Sequence, residues 1–484
     1  MILFLTSRTE APASAEDGPG ISIRERTAAL TEHRKGIFAA MGLAGIPAFL
    51  YDERKGISPF KSIFNRRPAM ILKGTIIHAP ELGKLSILKG GYLLLDEEGR
   101  IQSVTDTLPP EYAGKPVEDF GDCLILQSFA DLHLHGPQYP QVGMGMDLQL
   151  LPWLKTYTFP AEARFSDPGY ARKVYHHLAA ELIANGSTRV SMFSSLHTEA
   201  TWILMEELEQ AGITGYVGKV NMDRNGGENL QETTEESERE TLRWLEGCSR
   251  FHHIKPILTP RFTPSCTDEL MEWLGKLSAE RNLPVQSHLS ENKDEIAWVK
   301  DLHPECEEYW ETYQKYGLWG NRTLMAHCVH SSPRERKAMK DHGVTMVHCP
   351  DSNINVCSGI APVRQFLQEG IAVTLGSDIA GGAKLPMYQV IACAIQSSKI
   401  RNMMDGSAFL TAAEAYYLGT TAGQQYFGAG KGFAVGDRLH AIIVDDSRMT
   451  GIPGMTPADR LERFFYQGKA EDIRAVFSEG CRVK

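Results

Sequence analysis

At 484 residues, with 42% hydrophobic and 23% charged side chains, the chain has the length and balance of a globular protein able to bury a large core. No apolar run is long enough to span a bilayer, which argues against membrane insertion. A net charge of −10, a pI near 5.9 and the lack of a Lys/Arg cluster argue against a nucleic-acid polymer as ligand and leave a free base open.

In chain order, Met1 to Leu5 is apolar but has no preceding basic residues and no following small-residue cleavage site, so it is not read as a signal peptide. Ala11 to Gly20 is rich in Ala, Pro, Ser and Gly and is predicted to be disordered. Ile21 to about Leu43 carries helix formers, and residues 1–67 read as an extension. Short strands separated by turn residues follow over Met70–His78, Gly91–Asp96 and Arg100–Val104. The same texture returns at Asp437–Asp445 and Ala475–Val483, which predicts a small β-sandwich-like domain built from both flanks, 68–127 and 431–484.

Between the flanks, residues 128–430 alternate helical patterns with short apolar strands at 130–135, 186–193, 214–222, 254–262, 284–288, 323–328, 345–349 and 373–378. Eight such strands predict an α/β fold, a TIM-like (β/α)8 barrel with chemistry at the strands' C-terminal ends. Nine scattered cysteines without a Cys-x-x-Cys pair predict reduced thiols and a cytoplasmic location.

The strand Ala130-Asp131-Leu132-His133-Leu134-His135 organises the reading. Side chains alternate along a strand, so His133 and His135 point one way, about 7 Å apart, close enough to share an ion. The fifth strand ends in His288 with Glu291 three residues on, the sixth in His327, and the eighth in Asp378. Any one of these has a plain reading as a strand-end polar residue. Four strand ends finishing in His or Asp supply imidazole and carboxylate ligands around one ring, which is how a barrel assembles a metal site.

These motifs resemble the amidohydrolase superfamily. The run Leu151 to Glu162, Gly218-Lys219-Val220, Thr259-Pro260-Arg261-Phe262, Ser287 to Asn292 and His348-Cys349-Pro350 resemble, in that order, the guanine deaminase family within it. The resemblance covers about Met70 to Lys484. It departs where Gln127-Ser128 replaces the usual Pro-Gly before the first strand, and at Gly436 to Ala441, whose residues are bulkier than usual.

The resemblance implies one Zn2+ per subunit held by His133, His135, His288 and Asp378, with Glu291 and His327 beside the metal-bound water. It implies guanine and water as substrates, xanthine and ammonia as products, and a homodimer. Gln138, Arg261 and Phe262 are then expected to hold the base, with His288, Glu291 and Asp378 also touching it. Gln can both donate and accept, Arg can donate to a carbonyl oxygen, and Phe offers apolar contact. Gln138 has the alternative of a plain loop amide, and Arg261 that of capping a strand end or pairing with a loop acid.

In the expected chemistry Asp378 takes the water's proton, His327 orients the nucleophile, and Glu291 protonates the ring nitrogen and then the leaving amine. Lys219 is kept structural because the superfamily's bridging lysine belongs on the fourth strand, which here ends in Pro260-Arg261. Cys328 and Cys349 are read as packing residues turned to the other face. The cytidine-deaminase pattern, His-x-Glu with Pro-Cys-x-x-Cys, does not occur. Two alternatives stand beside this reading: deamination of another purine such as 8-oxoguanine, and a non-catalytic scaffold of the same fold.

Overall fold

A computed structural model describes residues 70–227 and 229–484. The predicted extension, 1–67, lies outside the described residues. The described chain is an α/β fold whose strands fall into a mixed sheet and parallel sheets.

The mixed sheet has seven strands, drawn from both flanks. From the N-terminal side come β1 (Ile71–Glu81), β2 (Lys84–Leu95), β3 (Ile101–Thr105) and β4 (Val117–Gln127). The C-terminal side adds β15 (Ala441–Val444), β16 (Ile473–Ser478) and β17 (Cys481–Arg482), in the order β17-β16-β15-β4-β1-β2-β3. The flanks therefore pair into one continuous sheet. The reason is β4, whose Leu124-Ile125-Leu126 pairs parallel with β1 and antiparallel with β15 and so bridges the two flanks edge to edge.

Period-2 alternation buries both faces of this sheet. Ile76, Ile125, Ile443 and Phe477 share one core cluster. Their neighbours Ile77, Leu124, Leu126, Ile442 and Val476 point into the large core that also holds the helices.

One parallel sheet contains β5 (Phe129–His135), β6 (Ser187–Phe193), β7 (Thr214–Gly218) and β9 (Ile254–Pro256). Another contains β11 (Val285–Leu289), β12 (Thr323–His327), β13 (Thr345–His348) and β14 (Val373–Leu375). A short parallel pair is formed by β8 (Val220–Asn221), which follows β7, and β10 (Thr259–Pro260), which follows β9. Backbone contacts join the two larger sheets at both ends: Leu258 bridges to Val285, and the Asp378 N–H donates to the His133 carbonyl at 2.8 Å. That closeness requires Gly376, where an added Cβ would stand 2.7 Å from the His133 Cβ.

At Gln127-Ser128, where the resemblance departs, a buried polar network fixes the entry into β5. The Gln127 side chain accepts from the Ala79 N–H at 2.8 Å and donates to Thr421 Oγ1 at 2.9 Å, and the Ser128 hydroxyl meets Thr188 at 2.6 Å. Every member has a partner, which is what makes a polar junction tolerable in an apolar surrounding.

Candidate active site

Four strand ends bring the predicted donors together. His133 and His135 project from the same face of β5 with ring centroids 5.0 Å apart. His288, on β11, stacks on His135 at 5.2 Å, and Asp378 follows β14. His135 Nε2 lies 3.2 Å from His288 Nε2, and Asp378 Oδ1 lies 3.2 Å from His133 Nε2 and 3.4 Å from His135 Nε2. A tetrahedral ion with arms of about 2.0–2.1 Å separates its donors by about 3.3–3.4 Å, so these gaps are the edges of such a coordination shell.

The protonation pattern agrees. His288 Nδ1 lies 2.6 Å from the Arg261 carbonyl, which can only accept, so Nδ1 carries the proton and Nε2 presents a lone pair. His135 Nε2, which faces that lone pair, either donates a proton to it or shares a cation with it. His133 Nε2 is buried without a hydrogen-bond partner. Burial pushes the imidazolium pKa of His133 down, and those of His135 and His288 well down, which favours the neutral form that can bind a metal. Burial by itself would raise the Asp378 carboxyl, but His133, His327 and His135 overcome it and hold it well below the usual carboxylate range. Three neutral imidazoles and a carboxylate are a donor set for a divalent metal ion.

Asp378 and His327 both have positive φ, 49° and 74°, a conformation that costs non-glycine residues about 1–3 kcal/mol and persists only where the surroundings impose it. Asp131 imposes it at the first. Its carboxylate, fully buried on β5, accepts from the Ser377 N–H at 3.0 Å and the Ser377 hydroxyl at 2.5 Å. Asn353 Oδ1 accepts from His327 Nδ1 at 2.9 Å, which turns Nε2 toward Glu291 Oε2 at 3.6 Å and Asp378 Oδ2 at 3.8 Å.

Glu291 lines the same pocket, as predicted from its offset from His288. Burial pushes its carboxyl up to about 7 against the attraction of His327. A carboxyl balanced near neutrality can both give and take a proton, which is what a general acid/base needs. Ser358 Oγ donates to its Oε1 at 3.0 Å, and its backbone N–H donates to Glu295 at 3.0 Å.

The same pocket is also lined by Gln138, Arg261 and Phe262, the three residues expected to hold a base, together with Trp153 and Leu154. Leu154 opens a π-helical turn, Leu154–Thr158, that leads into the helix Phe159–Ala163. Such turns concentrate at functional sites. That helix carries Glu162, to which sequence reasoning gave no role although it closed the quoted run. Arg261 is forked onto the Glu162 carboxylate and lies over the Phe159 ring. Arg261 therefore pairs with an acid, one carried by a helix and not by a loop, and two of its N–H groups are spent within the protein. Asp131, Asn353 and Ser358 were likewise missed, because nothing local in the sequence ties them to their partners.

Other placements complete the picture. Lys219 Nζ donates to Glu232 at 2.8 Å, a buried ion pair away from the four donors. Cys328 is buried in the main core. Cys349 is buried too, but its sulfur lies within 4.8 Å of ring nitrogens of both His133 and His327. It does not face away as alternation predicted, because β13 ends at His348 and the backbone turns there into the helix Pro350–Asn355.

The amidohydrolase family model matches residues 124–483 of the chain. Guanine deaminase from Dictyostelium discoideum is 37% identical over 442 residues, covering 86% of this chain and 98% of that protein. The human guanine deaminase is 33% identical over 443 residues, covering 86% and 96%. Among solved structures, guanine deaminase from C. acetobutylicum with guanine bound in its active site superposes with a TM-score of 0.84 at 44% identity, covering 86% of this chain and all of that one.

Proposed function

The chain belongs to the amidohydrolase family, and from that premise we propose that it hydrolyses guanine to xanthine and ammonia with one zinc ion per chain. The observation that carries this reading is the shell-sized cluster of His133, His135, His288 and Asp378 facing a wall of hydrogen-bond donors, with Glu291 between them. The likeness to a deaminase solved with guanine bound supports the choice of base. The two parallel sheets are read as one closed (β/α)8 barrel, with the seven-stranded sheet as the small domain. Support for closure comes from the Leu258–Val285 bridge and the bond from Asp378 N–H to the His133 carbonyl.

A divalent ion held by these four donors would supply a nucleophile at neutral pH, by lowering the pKa of water, and a positive charge for the oxygen that develops negative charge. The protein's residues do the rest. Asp378, kept ionised by its imidazole neighbours, accepts the proton that water must lose. His327, held by Asn353, directs Nε2 at the space between Glu291 and Asp378 and positions the attacking oxygen. Glu291 gives its proton to the ring nitrogen beside the attacked carbon, takes the remaining proton of the added hydroxyl and passes it to the amine as the C–N bond breaks, and is reprotonated by the proton that Asp378 accepted from water. One water is consumed, and one ammonia leaves.

The test is a purine panel on purified protein, following ammonia release and product absorbance, with the metal measured in the same sample. Guanine turned over to xanthine with about one zinc per chain is the expected result. Faster release from 8-oxoguanine or adenine would reassign the substrate, and release from none of them would leave a scaffold.

A further inference from the structure

We propose that Glu162 is a positioning residue that sets base specificity by orienting the N–H donors of Gln138 and Arg261 on the recognition wall. This rests on the reading of the pocket as a purine site. Glu162 is 1% exposed and Arg261 2%, so the carboxylate answers to protein groups and not to solvent. Three N–H donors converge on it: two from the Arg261 guanidinium and Gln138 Nε2 at 2.8 Å.

The consequence lies in the Gln138 amide, whose two ends are interchangeable in shape and opposite in hydrogen bonding. Its Nε2 meets a carboxylate that only accepts, and its Oε1 meets the Ala380 N–H at 3.1 Å, which only donates. Both contacts forbid the flipped amide. The remaining Nε2 hydrogen is what Gln138 has left for the pocket it lines. Arg261 has five N–H groups and no acceptor, and the fork onto Glu162 fixes the plane in which the unused ones lie. The pocket wall therefore selects a base edge made of acceptors, a carbonyl oxygen included, and leaves a donor unpaired on an edge that carries an amine. Gln138 is held in one amide orientation, with its second Nε2 hydrogen left to donate.

The experiment measures binding without turnover. Equilibrium titration calorimetry of the zinc-loaded full chain with hypoxanthine, which carries a carbonyl at C6, and with adenine, which carries an amine there, gives an affinity ratio. Hypoxanthine should bind more tightly to the unsubstituted protein by roughly 10²-fold, since mismatching a buried polar group is heavily penalised. Glu162→Gln removes the acceptor-only partner, loosens both the Arg261 fork and the Gln138 Nε2 that it holds, and should narrow that ratio at least about tenfold, chiefly by weakening hypoxanthine. Equal weakening of both ligands, or an unchanged ratio, in protein that keeps its zinc overturns the assignment. If Glu162→Gln does not fold, Glu162→Gln combined with Arg261→Gln leaves no uncompensated buried charge, and an unchanged ratio there overturns it as well. A protein that releases no ammonia from guanine yet shows the ratio and its narrowing would refute the proposed reaction and leave this assignment standing.

Discussion

The two sides of the pocket are built by different means. The metal-donor side hangs on backbone: His133 and His135 alternate on β5, His288 sits on β11, and the Asp378 N–H bonds the His133 carbonyl. The base-facing side hangs on side chains: Gln138 and Arg261 are held by Glu162, 24 and 99 residues away in sequence. Strand geometry gives distances that vary little, which suits a shell whose edges must match to a few tenths of an ångström. Side-chain clamps instead choose which polar atom faces the ligand, which suits discrimination among bases of one shape. Damage to the first side should therefore abolish the reaction, and damage to the second should reshape its selectivity.

The largest effect should come from the donor side. Stripping the metal with a chelator should lower turnover at least about 10⁴-fold, because water returns toward its ordinary pKa, and adding zinc back should restore it. The ion binds only the folded protein, so at 100 times its Kd it should add about 2.7 kcal/mol of stability, seen as a Tm that rises with zinc. Full turnover in metal-free protein would remove the cluster from the reaction.

Glu291 stands between the two sides and separates chemistry from assembly. Glu291→Gln keeps the size and the Ser358 contact but not the exchangeable proton, so turnover should fall roughly 10²- to 10⁴-fold with the metal content unchanged. Loss of zinc together with activity would make Glu291 part of the shell instead.

The base-facing side should respond selectively. Arg261→Ala is a poor probe here, since it would strand the buried Glu162 carboxylate, a change that costs about 3–5 kcal/mol of stability. Arg261→Lys retains the charge but loses the fork, and with it about 1.5–3 kcal/mol of charge-assisted bonding, so kcat/KM for guanine should fall roughly 10- to 150-fold. The metal content and the Tm response to zinc should be those of the unsubstituted protein. Equal losses for every purine in the panel would make Arg261 a structural residue.

The contrast also explains what could be read from the sequence. His133, His135, His288, His327 and Asp378 lie at the ends of apolar strands, and both the period of 2 and the strand end are local signals. The seven-stranded sheet was half legible: its outer strands carried turn punctuation, but no strand was assigned at Leu124-Ile125-Leu126, the run that joins the two flanks. Glu162, Asp131, Asn353 and Ser358 were silent because an acid on a short helix or a serine in a loop acquires its role only through a partner far along the chain. Cys349 misled for a related reason, since alternation holds only while the strand does.

The smallest expected effect belongs to Ser358, and it tests whether proton affinity on the shared face is tuned by a single neutral bond. Burial sets the Glu291 carboxyl near 7, and the bond from Ser358 Oγ, by stabilising the carboxylate, pulls it slightly down. The protonated form, which can give a proton to the ring nitrogen, dominates below that value, so kcat/KM should fall as pH rises through about 7. Ser358→Ala deletes a bond that favours the ionised form, so the carboxyl titrates higher and the falling limb moves to higher pH. With the bond contributing about 0.5–1.5 kcal/mol and a pKa unit equal to about 1.4 kcal/mol, the shift should be about 0.4–1 pH unit. The metal content should not change, because Ser358 touches none of the four donors. A limb that stays in place would assign it to a group other than Glu291, and one that moves to lower pH would mean that the hydroxyl favours the protonated acid.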